Sequence, residues 1–464
     1  MQSFKRLSGL TAVATTTALT MLWLSGCASS EHRPELAWPA LPASWSAASA
    51  ETQPAHDAAS PERWWARFGD TVLDELVETA LANNADLAIA AIRVRRAQLE
   101  AGLVRAETGP QGALAAGVGA TRAFGADRAR VSTGVNAALS FELDLWGKLA
   151  ARRDEASWRA QASEADRDVA ALLLIGTTAK LYWGIGYLNE SIALDQASIV
   201  DAQRTVEIVE ARVAAGAASP LDAAQARGQL AARRADFAQT TMAREAKRNA
   251  LALLLNRPPN ERGAEPASLR DAAIPGVAAS LPAVVLARRP DMRAAEARLR
   301  AQLANVDFAR ASIYPEITLT SEMGTSSDML LRTLQNPVAS LGAALALPFI
   351  QWNTVRRKAA LSENEFAEAS IAFRKGLYGA LAEVEDALSA KTQLERQAEQ
   401  RTHAFEEAKL AVSVARTRFD LGTTDAAPWL EAQRVQRSAE LDRTANRLAR
   451  LENRIDLFLA LGGG

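Results

Sequence analysis

The sequence predicts a mainly α-helical fold with a small β part, built as two successive copies of one arrangement. Three observations predict it. A block of sequence recurs at fixed spacing, two proline-free stretches of about seventy residues carry seven-residue apolar periodicity, and four short segments alternate with period two.

The repeat is read directly. "ADLAIAAIRVRRAQLEAGLVRAETGP" (85–110) lies over "PDMRAAEARLRAQLANVDFARASIYP" (290–315), with Asp86 over Asp291, Arg93 over Arg298 and Pro110 over Pro315. Further along, Trp146 matches Trp352, Arg212 matches Arg418 and Gly216 matches Gly422, the spacing having grown by a single residue. Chance matches do not hold one spacing over so many positions.

Each copy reads helix, strand pair, long helix, turn, helix. In the first long helix Ile185, Ile192, Ile199, Val206 and Val213 fall seven apart, with Leu188, Ala202 and Val209 in the companion position and Asp195 as its polar break. In the second, Ala398, Phe405, Val412 and Phe419 repeat the pattern. A heptad keeps one seam on a neighbour and supercoils left-handedly, and at ~1.5 Å per residue seventy residues reach about 100 Å. The glycines of "YWGIGY" (182–187) interrupt the run; close helix contact and a local kink are the two readings.

Before each long helix the period changes. Val131, Val135, Leu139 and Phe141 alternate with Ser132, Gly134, Asn136 and Ser140; Ile317, Leu319 and Met323 alternate with Glu316, Thr318, Thr320 and Glu322. Leu341, Ala343, Leu345 and Leu347 alternate with small residues, and Leu114, Ala116 and Val118 do so weakly. Ten-residue segments, apolar on one side and polar or small on the other, match half-buried strands of a soluble sheet or transmembrane β-strands. Their pairing at matching repeat positions favours the membrane. Four strands leave open edges, which lipid does not tolerate, and single-chain barrels begin at about eight strands. Several copies must therefore share one barrel, above a cylinder of helices.

The N-terminus carries an address. Lys5 and Arg6 precede an uncharged apolar run (10–24) that ends in Leu24-Ser25-Gly26-Cys27, the chain's one cysteine. This is a secretory signal that resembles a bacterial lipobox, with Cys27 as the lipidation site; Ala28 after it favours outer-membrane delivery. Removing 1–26 takes the formal charge from −1 to −3, a balance that argues against nucleic acid. With three histidines (His32, His56, His403), one cysteine and no Gly-rich phosphate loop, the usual catalytic and metal constellations are not assembled. A carboxylate pair stays open, although 54 acids along helices are ordinarily solvated faces. The expectation is a protein that is not an enzyme, with no cofactor and no metal. The expected division is a signal peptide over 1–26, a lipidated tail over 27–63, a first repeat over 64–256 (strand pair 112–141, tip turn near 216), a connector over 257–280, and a second repeat over 281–464 (strand pair 315–349, tip turn near 422).

On Cys27, "WWARFGD" (64–70), "FELDLWGKLAARRDEA" (141–156), "ALALPFIQWNTVRRKAA" (344–360), "ARVAAGAASPLDAAQAR" (211–227) and "TRFDLGTTDAAPWLEAQR" (417–434), the chain resembles the TolC-like outer-membrane factor family, specifically its NodT-like lipoprotein branch. The match covers nearly all of the mature chain in family order. The resemblance implies a homotrimer: a trimeric α-helical barrel continuous with a 12-stranded β-barrel to which each chain gives four strands. It implies a passive efflux channel for drugs or other small solutes, lipid-anchored in the outer membrane and reaching into the periplasm. Its partners would be a periplasmic adaptor and an inner-membrane pump of the resistance-nodulation-division type. The tip turns Ala215-Gly216-Ala217 and Leu421-Gly422-Thr423 would meet the adaptor, and Asp425, then Asp222, are the acidic candidates for the periplasmic gate. Gly216 and Gly422 also read as helix C-caps, and Asp222 as an N-cap residue. Pro220 and Pro428 fall just past the turns at first-turn helix positions, and Pro428 makes the second turn stiffer than the family pattern. The alternatives are a channel for type I protein secretion, or a lipid-anchored periplasmic coiled-coil scaffold without a pore.

Overall fold

The structure is a computed structural model that describes residues 42–46, 61–122, 124–125, 129–269, 272–277, 282–327 and 337–463. Cys27, the signal segment, His32 and His56 lie outside the described residues.

Helices α1 (Thr71–Asn83) and α2 (Ala85–Glu107) lead to strands β1 (Gln111–Thr121) and β2 (Arg130–Leu143), then to α3 (Lys148–Ala214) and α4 (Pro220–Leu254). The same order recurs: α5 (Pro282–Arg288), α6 (Pro290–Ala311), β3 (Glu316–Ser327), β4 (Pro337–Ala346), α7 (Trp352–Asp420) and α8 (Ala427–Ala460). The first copy's leading helix is broken in two, which the periodicity did not show. Asn84 at the break is extended; its N–H closes α1 on the carbonyl of Ala80, and its side chain accepts from Leu87 to open α2. The strands form one antiparallel sheet in the order β1-β2-β3-β4, so the two expected hairpins are joined through β2 and β3.

"WWARFGD" has a packing role. Trp64, Trp65 and Phe68 are buried in a short 3-10 segment (Pro61–Phe68), and Trp64 stacks on Phe458 of α8 at 5.0 Å. Gly69 turns the chain at φ +66, a left-handed value that suits glycine. Asp70 then accepts from the N–H groups of Val72 and Leu73 and from the hydroxyl of Tyr182 on α3 at 2.8 Å. One carboxylate thus caps α1 and ties it to the long helix.

The heptad seam is buried in part: Ile199, Ala202, Val206, Val213, Ala398, Phe405 and Val412 are half-buried within one chain. Ile185, Leu188, Ile192 and Val209 of α3 and Phe419 of α7 are all below 9% exposed. One 18-residue stretch of α3 is apolar enough to cross a membrane by composition, but 56% of it is buried against the rest of the chain.

The "YWGIGY" interruption is close packing. A side chain at Gly186 would put its Cβ 2.8 Å from Cγ of Pro266 in the connector, which crosses α3 here near its middle; at Gly184 the Cβ would meet the end of Lys247 at 2.9 Å. The proline ring cannot swing aside, whereas a lysine terminus can. Gly186→Ala is therefore expected to destabilise by about 1–3 kcal/mol through overpacking. Gly184→Ala should be neutral or gain up to about 1 kcal/mol of helix propensity. Comparative thermal melts check this, and equal effects at the two positions would refute it.

Asp195, the polar break of the seam, is 1% exposed. It pairs with Arg437 of α8 and accepts from the hydroxyl of Thr240 on α4 at 2.9 Å, while Arg437 also reaches Asp236 at 3.3 Å. Three helices meet at this one ion pair.

Candidate functional site: channel wall and tip turns

The register sorts the sheet into two faces. Directly paired residues of antiparallel strands point the same way, and neighbours along a strand point oppositely. Leu114 opposite Ala137, Ala116 opposite Val135, Phe141 opposite Leu319, Ala137 opposite Met323, and Ile317 opposite Leu345 define an apolar face. Ser140 opposite Thr320, Ala138 opposite Glu322, Glu322 opposite Ser340, and Thr320 opposite Gly342 define a polar, small-residue face. Thr133, Ser321, Thr325 and Ser327 are polar exceptions on the first, and Val338 is apolar on the second. On the apolar face Leu114 is 78% and Leu341 85% exposed within one chain. Such a surface is stable in contact with lipid rather than water.

The helix-bearing end of the sheet carries aromatics. Trp146 stacks on Tyr314 at 5.0 Å and donates from its ring nitrogen to the carbonyl of Pro315 at 2.9 Å; Trp352 stands at the matching place after β4 and is 49% exposed. Lys148 reaches Glu142 at 2.8 Å and Glu316 at 2.5 Å, tying both halves together where strands become helices. Amphipathic rings at this level suit a membrane–water boundary.

At the far end of the long helices lie the two tip turns. In the first, Gly216 has φ +71; its N–H donates to the carbonyl of Val213, and that of Ala217 donates to Arg212 at 2.8 Å. In the second, Gly422 has φ +70, with Gly422 donating to Phe419 and Thr423 to Arg418 at 3.0 Å. Both are Schellman closures, in which the left-handed residue is glycine because a Cβ is disfavoured there. Ala215, Gly216, Ala217, Leu421, Gly422 and Thr423 are all exposed.

The two acidic candidates differ in environment. Asp425 is exposed, and α8 has no side-chain cap. Asp222 is 5% exposed and completes a capping box with Ser219, taking that residue's N–H and hydroxyl at 2.8 Å each. Those bonds, with another from the backbone of Ala426, hold its carboxyl below the ordinary aspartate range. A lowered carboxyl stabilises above the unfolded-state value, and the contribution is lost as pH falls through the lower folded value.

What joins the turns was not read from the sequence. Arg212, visible there only as a repeat match to Arg418, lies over the ring of Phe419 at 4.1 Å and donates to the carbonyls of Phe419 and Asp420. The end of α3 thereby caps the end of α7. Phe419 stacks on Trp429 at 5.2 Å, and both are packed with Val209, Ala223 and Leu430 into one core beneath the turns. Arg212→Ala is expected to cost about 2 kcal/mol, the scale of charge-assisted hydrogen bonds. Amide exchange across 417–424 should rise while the rest of α7 stays protected. Arg212→Lys should not restore protection, because it lacks the fork; unchanged exchange in either variant would refute the capping role.

Comparison with known proteins places the chain. The family description "outer membrane efflux protein" matches residues 76–257 and 281–463. The pyoverdine export outer membrane protein OpmQ of Pseudomonas putida is 32% identical over 459 residues, covering 96% of this chain and 97% of the relative. The outer membrane protein OprJ of Pseudomonas aeruginosa is 30% identical, covering 92% and 91%. Among solved structures, the outer-membrane channel OprN superposes with a TM-score of 0.85 at 25% identity, covering 93% of this chain and 98% of that one. The Neisseria gonorrhoeae MtrE channel, in its open state, superposes at 0.78 with 29% identity, covering 84% and 89%. Sheet, long helices and tip turns are thus the anatomy of a transport conduit, and the chain belongs to the outer membrane efflux protein family.

Proposed function

We propose that three copies of this outer-membrane efflux channel close one twelve-stranded barrel over a helical cylinder and export small organic solutes delivered from the periplasm. The observation that carries this reading is the four-stranded sheet, lipid-compatible on one face and polar on the other, with β1 and β4 at its edges. An edge in lipid costs several kcal/mol per unpaired group, so β4 of one copy pairs with β1 of the next. A second support is α2, which exposes Ile89, Ile92, Leu99 and Leu103, from 46% to 68%, along one face. An apolar stripe of that kind suits a neighbouring subunit.

In this arrangement the family's division of labour carries over. An inner-membrane pump, of the resistance-nodulation-division type, supplies the energy, and a periplasmic adaptor docks on Ala215–Ala217 and Leu421–Thr423. Asp222, bonded across to the second turn, and Asp425, free to face its symmetry mates, stand as the gate carboxylates. Cys27 carries the acyl chains that guide sorting, and 64–256 and 281–464 are the two structural repeats, with 257–280 between them. The names of relatives include pyoverdine export, "Toxin and drug export protein A" and "Cation efflux system protein CusC"; organic cargo is preferred because the pyoverdine exporter is the more similar in sequence, 32% identical against 29%. Purified protein is expected to migrate as a trimer and to conduct ions across planar lipid bilayers. A stable monomer that does not conduct would overturn the reading. Deleting the protein should raise intracellular accumulation for at least some of a panel of dyes, antibiotics and siderophores.

A further inference from the structure

Helix α8 carries Arg443, Arg447 and Arg450 at spacings of four and three, which places them on one helix face. That face is the floor of a half-open cleft of about 410 Å³, walled by α3 at Glu190 and by α7 at Ala398 and Thr402. The cleft belongs to neither the sheet nor the tips.

Its charges do not balance. Arg447 donates to the carbonyls of Leu269 and Ala272 at 2.6 and 3.0 Å, holding the connector against the bundle. Glu190, the acid lining the cleft, accepts from the N–H of Leu269 at 3.0 Å. Arg443 lies over the ring of Phe405 at 4.3 Å and has no hydrogen bond or ion pair among the described residues. Arg450 likewise has none, and its Nε is buried without an acceptor. One turn further on, Arg454 is 5% exposed, meets Glu395 at 3.4 Å, and has Nε and Nη1 unpartnered. Buried guanidinium nitrogens without acceptors are costly, and a planar fork is matched by carboxylate or another oxyanion.

We propose that this cleft binds a multivalent organic anion, with its carboxylates on the forks of Arg450 and Arg443. These residues lie seven positions apart on one helix, so their backbones are separated by about 10 Å, which suits two carboxylates on one small molecule better than a single compact ion. A bound anion would join α7, α8 and the connector, stiffening the bundle at the level where the connector crosses it. The proposal stands independently of conduction and of the trimer.

Citrate is the probe, with sulfate as the compact oxyanion and chloride as the control for ionic strength. On purified full-length protein in detergent, titration calorimetry should show saturable citrate binding at one site per chain, tighter than sulfate, and citrate should raise Tm. Arg450→Gln should weaken citrate at least tenfold and abolish the Tm rise. Without citrate its Tm should equal or exceed that of the unmodified protein, since an unpartnered charge has been removed. Arg401→Gln, which breaks an exposed pair with Asp442 outside the cleft, should leave citrate affinity unchanged. Absence of saturable binding, or equal citrate affinity in Arg450→Gln, would overturn the proposal. A lowered Tm of Arg450→Gln in citrate-free buffer would also overturn it, because the arginine would then already have a carboxylate partner, such as one from another copy.

Discussion

Arg437→Ala is expected to cost about 3–5 kcal/mol, the scale for removing one partner of a buried ion pair. Asp195 is 1% exposed and sits in an otherwise apolar seam; without the guanidinium it keeps, among the described residues, the hydroxyl of Thr240 and the more distant charge of Arg233. The loss should appear as a markedly lower melting temperature, with early protease cleavage where α3, α4 and α8 meet. Desolvation of a carboxylate that has lost its ion-pair partner drives the effect, so the double variant Asp195→Leu with Arg437→Leu should recover most of it. A cost below about 1 kcal/mol for Arg437→Ala, the range of exposed pairs, would mean that the site is wet in the assembly. The identity of the partner matters as well as its charge. Arg437→Lys should recover only part of the stability, since one ammonium cannot fork between Asp195 and Asp236.

Leu341→Arg is expected to abolish most folded protein in the outer membrane, whereas Ser340→Arg next to it should be tolerated. Leu341 is 85% exposed on the apolar face near the middle of β4, and Ser340 pairs with Glu322 on the polar face. An arginine against lipid near mid-membrane costs about 2–4 kcal/mol per chain, and three copies in one barrel would multiply it. At Ser340 the same side chain enters water beside a carboxylate, and its expected effect is a shift of ion selectivity toward anions. Heat-modifiable gel migration of membrane fractions reads the first effect and bilayer reversal potentials the second. Equal tolerance at 340 and 341 would count against a lipid-facing side.

Much of this architecture was legible because it rests on local periodicity. A period of two marked all four strands and the side of each that is apolar. A heptad marked the seam, and Phe419, at the end of its second run, is 1% exposed. Gly216 and Gly422 were legible as caps because a left-handed helix end selects glycine whatever surrounds it. Other features were not legible. The break at Asn84 depends on a few backbone dihedrals, to which apolar spacing is insensitive. Gly184 and Gly186 look alike in sequence and differ in what faces them, a lysine terminus for one and a proline ring for the other. Asp222 and Asp425 look equivalent as acids near turns, yet one is a buried cap and the other is exposed.

The sequence by itself determined the class of this protein: its order of elements, the two-faced strands, the long helices and the glycine turns, together with the family to which they belong. Each of these follows from the period of side chains along one element or from the backbone preference of one residue. Only the tertiary structure decided which charges are paired. Asp195 with Arg437, Asp70 with Tyr182, Arg212 with the carbonyls ending α7, and the arginines of α8 left short of acceptors are all contacts between segments far apart in the chain. Nothing in local spacing encodes such partners, because a side chain meets them only after helices of about 100 Å have been laid side by side.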